Sequence, residues 1–301
     1  MIDGQAAFEE MNRRHQVSRA YFFSQKDFRR QFNIDFPIGL CAGLVQVWWA
    51  ELRKGNDAIR CLKEATPKLI GDVLLSQARS VYLKEFPPLN RNLRPYETEL
   101  LKFKYGADTV SSIRSLYTLL GVNNCLELDL ALLHDLPIIK RWQFSHLASD
   151  ILNALTESPR PSLYVLLTRF WDSKRPSGER GHRCALVIEA AGSCRFYDPR
   201  WGEMQFLALG HFNSWFTEYW TKQRWDYFLQ RGSPPSSPIQ LFAFGSTFSP
   251  AAIEKSLALQ KKFSTSNFEV EELILWLESL RSGAAGEHAR EGALAPVLCH
   301  R

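Results

Sequence analysis

From Cys41 onward the apolar positions run Cys41, Leu44, Val45, Trp48, Trp49 and Leu52. This i, i+3, i+4, i+7, i+8, i+11 spacing is one broad face of a helix. Little charge falls on the other face before Glu51, which predicts a buried helix ending near Gly55-Asn56. A second helix is predicted over 56–66 and a third over 67–86, with Ile70, Val73, Leu74, Gln77 and Val81 on one face and Pro87-Pro88 as its stop. Upstream, residues 5–32 mix charge with Phe8, Met11, Tyr21, Phe22, Phe23, Phe28 and Phe32, which predicts one or two short helices packed on the main body. Downstream, 89–108 reads as irregular, 109–120 as helical, and 126–133 and 144–156 as short helices, so the first 160 residues read as mostly α.

The period then shortens. Residues 161–167, Pro-Ser-Leu-Tyr-Val-Leu-Leu, read as a strand rich in β formers, and 169–181 as a polar loop. From His182 to Glu189 the chain alternates, with His182, Cys184, Leu186 and Ile188 on one face. Ala190-Ala191-Gly192 turns the chain, and Cys194, Phe196 and Asp198 share a face of the return strand, which Pro199 ends. Further strands are predicted over 204–209 and 239–244, an aromatic helix over 214–229, and a turn or linker at 234–238. Ser249-Pro250 opens another helix, and 268–281 a last one, docked or serving as a partner- or membrane-contact surface. The small, charged, aperiodic residues 284–301 read as disordered.

Composition narrows the class. A chain of 301 residues with 20 Phe, 9 Trp and 9 Tyr can bury a large core. The formal net charge of +5 is mild and scattered, which gives no reason to expect nucleic acid and leaves membrane contact open without support. Six cysteines without a CxxC pair make neither a disulfide framework nor a zinc ribbon, so reduced thiols are expected. His134, His146 and His211 share no metal-ligand spacing, and neither a metal nor a cofactor is expected. There is no run of 18 apolar residues and no basic-then-apolar leader, so neither a membrane span nor a cleavable signal peptide is expected, which leaves specialised secretion routes open.

The candidate chemistry comes from three separated residues. Cys41 falls in the first turn of its helix, where the positive end of the dipole and unpaired N–H groups favour a thiolate. A thiol nucleophile also needs an imidazole and a group that orients it. His182 at a strand start and Asp198 at the end of the next strand supply both in a workable order. Each has an ordinary structural reading as well: a core cysteine, a hydrogen-bonded histidine and a turn-forming Asp-Pro. Cys184 and Cys194, on strands, read as core; Cys61 and Cys125 read as structural, and Cys299 as a tail thiol. Trp48 and Trp49 read as core packing.

Gly39-Leu40-Cys41 before a Trp-containing helix, Gly181-His182 opening a strand, and Phe196-Tyr197-Asp198-Pro199-Arg200-Trp201-Gly202-Glu203 followed by Phe206 and Trp215-Phe216 together resemble the YopT/AvrPphB family of bacterial effector cysteine proteases over about residues 35–230. The resemblance implies an α+β, papain-like fold: a helical subdomain carrying Cys41, an antiparallel sheet carrying His182 and Asp198, and extra C-terminal helices. It implies Cys41 as nucleophile, His182 as base and Asp198 as orienting group. It also implies secretion by a pathogen through a specialised system and action in the target-cell cytoplasm on a protein such as a small GTPase or kinase. A cognate chaperone or inhibitor protein is a further candidate partner. The same first chemical step would serve acyl transfer, transglutamination or deamidation, and a non-catalytic binding module on this fold is a third reading.

The corresponding domain plan is an N-terminal helical segment over 1–34, a catalytic domain over 35–245, C-terminal helices over 246–283 and a tail over 284–301. Papain-like enzymes place an Asn or Gln ahead of the cysteine to stabilise the oxyanion. Among Gln31, Asn33 and Asp35 an ionised Asp cannot donate, and Asn33 is the choice here, or backbone N–H groups alone, that of Cys41 included. The hairpin gives the triad a geometric condition. An even turn at Ala191-Gly192 pairs Asp198 with Ala185, facing away from His182, whereas a three-residue turn pairs it with Cys184, diagonal to His182 on the same face.

Overall fold

A computed structural model describes residues 4–34, 39–84, 136–144, 147–157, 162–171, 179–222 and 239–245, together with Glu127, Leu130, Ala131 and His134. The helices expected over 109–120, from Ser249 and over 268–281, the 234–238 turn and the tail lie outside these residues. The described residues fall into two compact units, one formed by residues up to Ser24 with Ile139–Gly245 and the other by Gln25–Ile138. Among them the chain is α+β, with seven helices and a seven-stranded sheet. No helix among the described residues is long and apolar enough to cross a membrane.

The first unit is built on that sheet. Its strands are β1 (Arg19–Phe22), β2 (Ile138–Phe144), β3 (Ser162–Trp171), β4 (Glu179–Ile188), β5 (Cys194–Asp198), β6 (Gly202–Phe206) and β7 (Ile239–Phe244), in the order β1-β6-β5-β4-β3-β7-β2. Strands β3 to β6 form an antiparallel meander, and β7 and β1 pair antiparallel to β3 and β6. The β3–β4 hairpin is longer than the sequence predicts. Arg169 pairs with Gly181 instead of entering a loop, and Thr168 pairs with His182, so His182 lies within β4 and not at its start. Arg169, Glu179, Arg180 and Gly181 hid the strand, because ladder pairing, not an alternating pattern, extends it.

One sheet face carries Tyr164, Leu166, Cys184, Leu186, Phe196, Met204, Phe206 and Leu241. Three helices supply the facing side chains: α1 (Gly4–Arg14), α6 (Ala148–Thr156) and α7 (Leu209–Lys222). Phe8 and Met11 of α1, Ile151 and Leu155 of α6, and Phe212, Trp215, Phe216, Tyr219 and Trp220 of α7 are buried in the same cluster. The Trp215 and Tyr219 rings stack with centroids 4.8 Å apart, and Phe196 meets Trp215 and Tyr219 at 5.5 Å each. Rings of this size dominate core energetics and favour offset or edge-on geometry.

Two strands were not foreseen. Strand β1 is four residues long and half-exposed, without an alternating pattern. It exists because Gly202 lets it approach: a Cβ there would lie 1.9 Å from the Tyr21 carbonyl oxygen, and Gly202 has φ +104°. Strand β2 is an edge strand in which only Ile138 is buried, so α6 begins at Ala148, not at Phe144. Lys140 and Arg141 mask its period, and Lys140 Nζ lies 4.7 Å from the Trp142 ring centroid.

Near the end of α1, Arg14 and His15 meet Glu218 of α7, which also pairs with Lys222. Some burial opposes the charged form, but hydrogen bonds from Lys222, His15 and Arg14 prevail and bring Glu218 down to about 2. Its folded value lies below its unfolded one, so its contribution is complete above about pH 4.5 and is lost as pH falls towards 2. Glu218→Gln is therefore expected to cost about 1–2 kcal/mol at neutral pH and to flatten the acid limb between those values, as read by urea melts at a series of pH values.

The second unit contains α2 (Gln25–Gln31), α3 (Cys41–Arg53), α4 (Ala58–Lys63) and α5 (Pro67–Lys84). The α3 helix starts at the predicted residue and ends before Gly55, whose φ of +79° suits a glycine stop. Its buried face is broader than the apolar stripe: Ala42, Val47 and Glu51 are buried, while Trp49 is only half-buried. The Glu51 carboxylate accepts from Lys54 Nζ and Asn56 Nδ2 at 2.6 Å each, and these bonds outweigh burial and hold its pKa below the usual value. Asp57 caps α4 by accepting from Arg60 N at 3.0 Å.

Helices α3 and α5 meet at Gly43, where a Cβ would stand 2.1 Å from the Val73 carbonyl oxygen. Since backbone cannot move aside cheaply, Gly43→Ala should cost about 3 kcal/mol or more, measurable by chemical denaturation.

Candidate active site

In the second unit, Cys41 is the first residue of α3 and is half-buried. Leu40, ahead of it, has no capping side chain, so the N–H groups of the first turn are met from elsewhere. Gln77 of α5, 4% exposed, accepts from Ala42 N at 3.1 Å and Gly43 N at 3.3 Å through one carbonyl oxygen. Gln25, at the start of α2, accepts from Leu40 N at 3.1 Å through Oε1. Two glutamines thus fix the backbone on either side of Cys41. The Gln25 Nε2 makes no hydrogen bond among the described residues, so an amide donor is held at this helix start with its hydrogens available. Asn33 sits past the end of α2 at φ +53°, with its N–H bonded to Arg30 O at 3.3 Å. Gln31 donates to Lys63 O at 2.8 Å, and Asp35 lies outside the described residues.

In the first unit, the hairpin meets the odd-turn condition. Ile188 pairs with Cys194, Glu189 N donates to Ser193 O at 2.9 Å, and Ala190, Ala191 and Gly192 form a three-residue turn with Gly192 at φ +88°. The register places Ala185 opposite Tyr197, so one step on Asp198 lies opposite Cys184 and diagonal to His182 on one face. His182 Nε2 and Asp198 Oδ1 are 2.8 Å apart, with both side chains buried.

Asp198 is held on three sides. Its Oδ1 also accepts from Arg200 N at 2.8 Å, which makes the Asp-Pro-Arg turn, and its Oδ2 accepts from the Tyr219 hydroxyl. Asp198 thus both forms the turn and pairs with His182. Tyr219, stacked on Trp215, carries the aromatic core up to this carboxylate.

Burial disfavours charge on His182, yet the adjacent Asp198 carboxylate, with Cys184 behind it, leaves the imidazole well above its ordinary pKa. Burial likewise opposes ionisation of Asp198, but His182 overrides it and the carboxyl lies below its ordinary value. Burial and the same carboxylate push Tyr219 well above 10, so its phenol stays a donor. These directions favour an imidazolium–carboxylate pair with a neutral phenol behind it. Such an arrangement can hold a positive imidazole and return its proton to a leaving group.

The remaining cysteines divide as follows. Cys41, Cys61, Cys184 and Cys194 are thiols and not disulfides. Cys194 belongs to the core, and burial and Glu51 raise the pKa of Cys61. Cys184 is core-facing too, but its sulfur and ligand atoms of His182 and Asp198 all lie within 4.8 Å of one another. These are the described residues able to hold a metal. His134 is buried and His211 half-buried, while His146, Cys125 and Cys299 lie outside the described residues.

Sequence reasoning missed Tyr219, Gln77 and Gln25. Gln77 left a signal, a polar residue on an apolar helix face. Tyr219 left none, since the phenol reaches its partner only through tertiary packing. Gln25 sits 16 residues before Cys41, well upstream of Gln31 and Asn33.

No protein-family model matches the sequence, and no curated protein matches it. Among solved structures, the chain is similar to a cysteine protease-like domain of the Photorhabdus asymbiotica toxin PaTox at 12% identity and TM-score 0.24, over 85% of this chain and 96% of that one. It is also similar to the Pseudomonas avirulence protein AvrPphB at 12% identity and TM-score 0.43, over 77% of this chain and 100% of that one.

Proposed function

We propose that this chain is a cysteine protease with Cys41 as nucleophile, His182 as acid–base and Asp198 as the group that orients and charges the imidazole. The observation that carries this reading is the buried His182–Asp198 pair, which depends on the three-residue turn and is backed by Tyr219. The Cys41 position at the start of α3 is the second support. In the proposed reaction the Cys41 thiolate attacks an amide carbonyl carbon, and the C–N bond breaks as His182 gives its proton to the leaving amine. The resulting thioester is attacked by water, which loses its proton to His182, and the acid departs with a restored thiolate.

The oxyanion formed at each attack needs donors. In this reading Gln25 takes the role that the sequence gives to Asn33, because its amide oxygen is tied to Leu40 N while its Nε2 stays available. Resemblance in the Cys41, His182 and Asp198 blocks extends the proposal to a bacterial effector, exported by a specialised route, whose substrate is a protein of the target cell. Acyl transfer and deamidation differ only in the second nucleophile or the substrate amide.

The test separates two reactions of one thiol. Acylation by p-nitrophenyl acetate passes through an oxyanion, whereas alkylation by iodoacetamide does not. Gln25→Ala is expected to slow acylation about 10²-fold with alkylation of Cys41 nearly unchanged, and Asn33→Ala to change neither. Equal slowing of both reactions in Gln25→Ala would make Gln25 a structural cap only. Peptide-bond cleavage is then sought by intact mass, where a clipped chain marks a protease and a gain of about one dalton a deamidase.

A further inference from the structure

We propose that His182, Cys184 and Asp198 form a binding site for one thiophilic divalent cation of the zinc type, and that its occupancy silences the catalytic site. The silencing rests on the function proposed above; the binding does not.

Strand alternation puts His182 and Cys184 on one face of β4, and the register sets Asp198 opposite Cys184. One nitrogen, one sulfur and one carboxylate oxygen thus lie within 4.8 Å of one another, on side chains that are each buried. Zinc bonds such ligands at about 2.0–2.3 Å, which sets ligand-to-ligand edges of about 3.5 Å, so shifts of about 1 Å or less suffice. The donor set favours zinc, cobalt or copper over magnesium and calcium, which prefer all-oxygen sites. The carboxylate is also braced from outside the cluster by Tyr219 and Arg200 N, as metal-binding carboxylates usually are. Residue spacing alone hid this cluster, because Asp198 joins it only through the hairpin.

Binding is a ligand exchange without electron transfer. The cation replaces the proton shared by His182 and Asp198 and the thiol proton of Cys184, and those protons pass to solvent. A metal-bound imidazole is neutral and cannot carry the proton that the Cys41 thiolate and the leaving amine require. The site would therefore compete with catalysis.

The experiment adds Co²⁺ to the reduced, full chain and follows the near-ultraviolet thiolate-to-cobalt charge-transfer band. Wild type and Cys41→Ser are expected to bind one cobalt with this band, which Zn²⁺ then removes by displacement. Cys184→Ser, close to isosteric, is expected to lack the band, and Asp198→Asn to bind cobalt at least tenfold more weakly, which covers the case where Cys184→Ser does not fold. No band in wild type, or a band lost in Cys41→Ser and kept in Cys184→Ser, would overturn the site. The second arm alkylates Cys41 with iodoacetamide. Zinc is expected to slow it at least tenfold in wild type and not in Cys184→Ser; equal slowing in both would overturn the silencing. If metal-free Cys41 proves unreactive, the protease reading fails while the cobalt band still decides the metal site.

Discussion

Cys41→Ala is expected to abolish acylation by p-nitrophenyl acetate, with no acyl adduct detectable by intact mass. The loss should exceed about 10⁴-fold and approach the scale at which removing a catalytic nucleophile leaves only binding and oxyanion stabilisation. The reason lies in the division of labour among the thiols. Cys194 is enclosed in an aliphatic and aromatic core, Cys61 has its thiolate disfavoured by burial and by Glu51, and Cys184 is buried on a strand. Cys41 alone among the described cysteines opens a helix, with Gln25 and Gln77 fixing its backbone on both sides. Peptide mapping of the wild-type adduct should locate the label at Cys41. An adduct of undiminished yield in Cys41→Ala would place the nucleophile elsewhere.

Asp198→Asn is expected to give the second-largest loss, on the order of 10³–10⁴-fold in acylation rate. The amide keeps the shape but not the charge. It cannot hold an imidazolium in a buried site, and the Tyr219 hydroxyl faces a weaker acceptor. The pH dependence follows with a definite sign. Because His182 is raised above 6.5 in the folded chain, the stability it contributes is complete below that value and is lost as pH rises through its folded pKa. Asp198, lowered below 3.8, contributes fully above that value and loses its share as pH falls through its folded pKa. Removing the carboxylate takes away the influence that raises His182. The alkaline limb of the acylation profile should therefore move to lower pH in Asp198→Asn. An alkaline limb that stays in place would show that the carboxylate does not charge the imidazole.

Sequence alone made much of this site legible, for identifiable reasons. The α3 helix announced itself because a buried helix must repeat its apolar positions, and Gly55 supplied the stop. The β4–β5 hairpin was legible because alternation fixes faces, and Gly192 suits the positive φ that a three-residue turn demands. Together these carried the prediction that Asp198 would lie diagonal to His182. What stayed hidden depends on pairing rather than period. Strand β1 is recognisable only through the close approach that Gly202 permits, and β2 through a neighbour that covers one edge. The length of the β3–β4 hairpin was hidden by polar residues at its far end. Tyr219 looked like one more aromatic of the core, and it is one, but its hydroxyl also donates to the Asp198 carboxylate. Gln25 reaches Leu40 across a segment of chain that no local pattern spans.

In the proposed function, the Cys41 thiol and the His182 imidazole work as an ion pair. The most direct test is the rate of alkylation of Cys41 by limiting iodoacetamide from about pH 4 to 8, read by intact mass and peptide mapping, in wild type beside His182→Ala. Fast, single labelling at Cys41 is expected well below pH 7, slowed at least tenfold in His182→Ala and with its midpoint moved up towards that of an ordinary thiol near 8.5. Slow labelling spread over several cysteines, identical in the two chains, would contradict it.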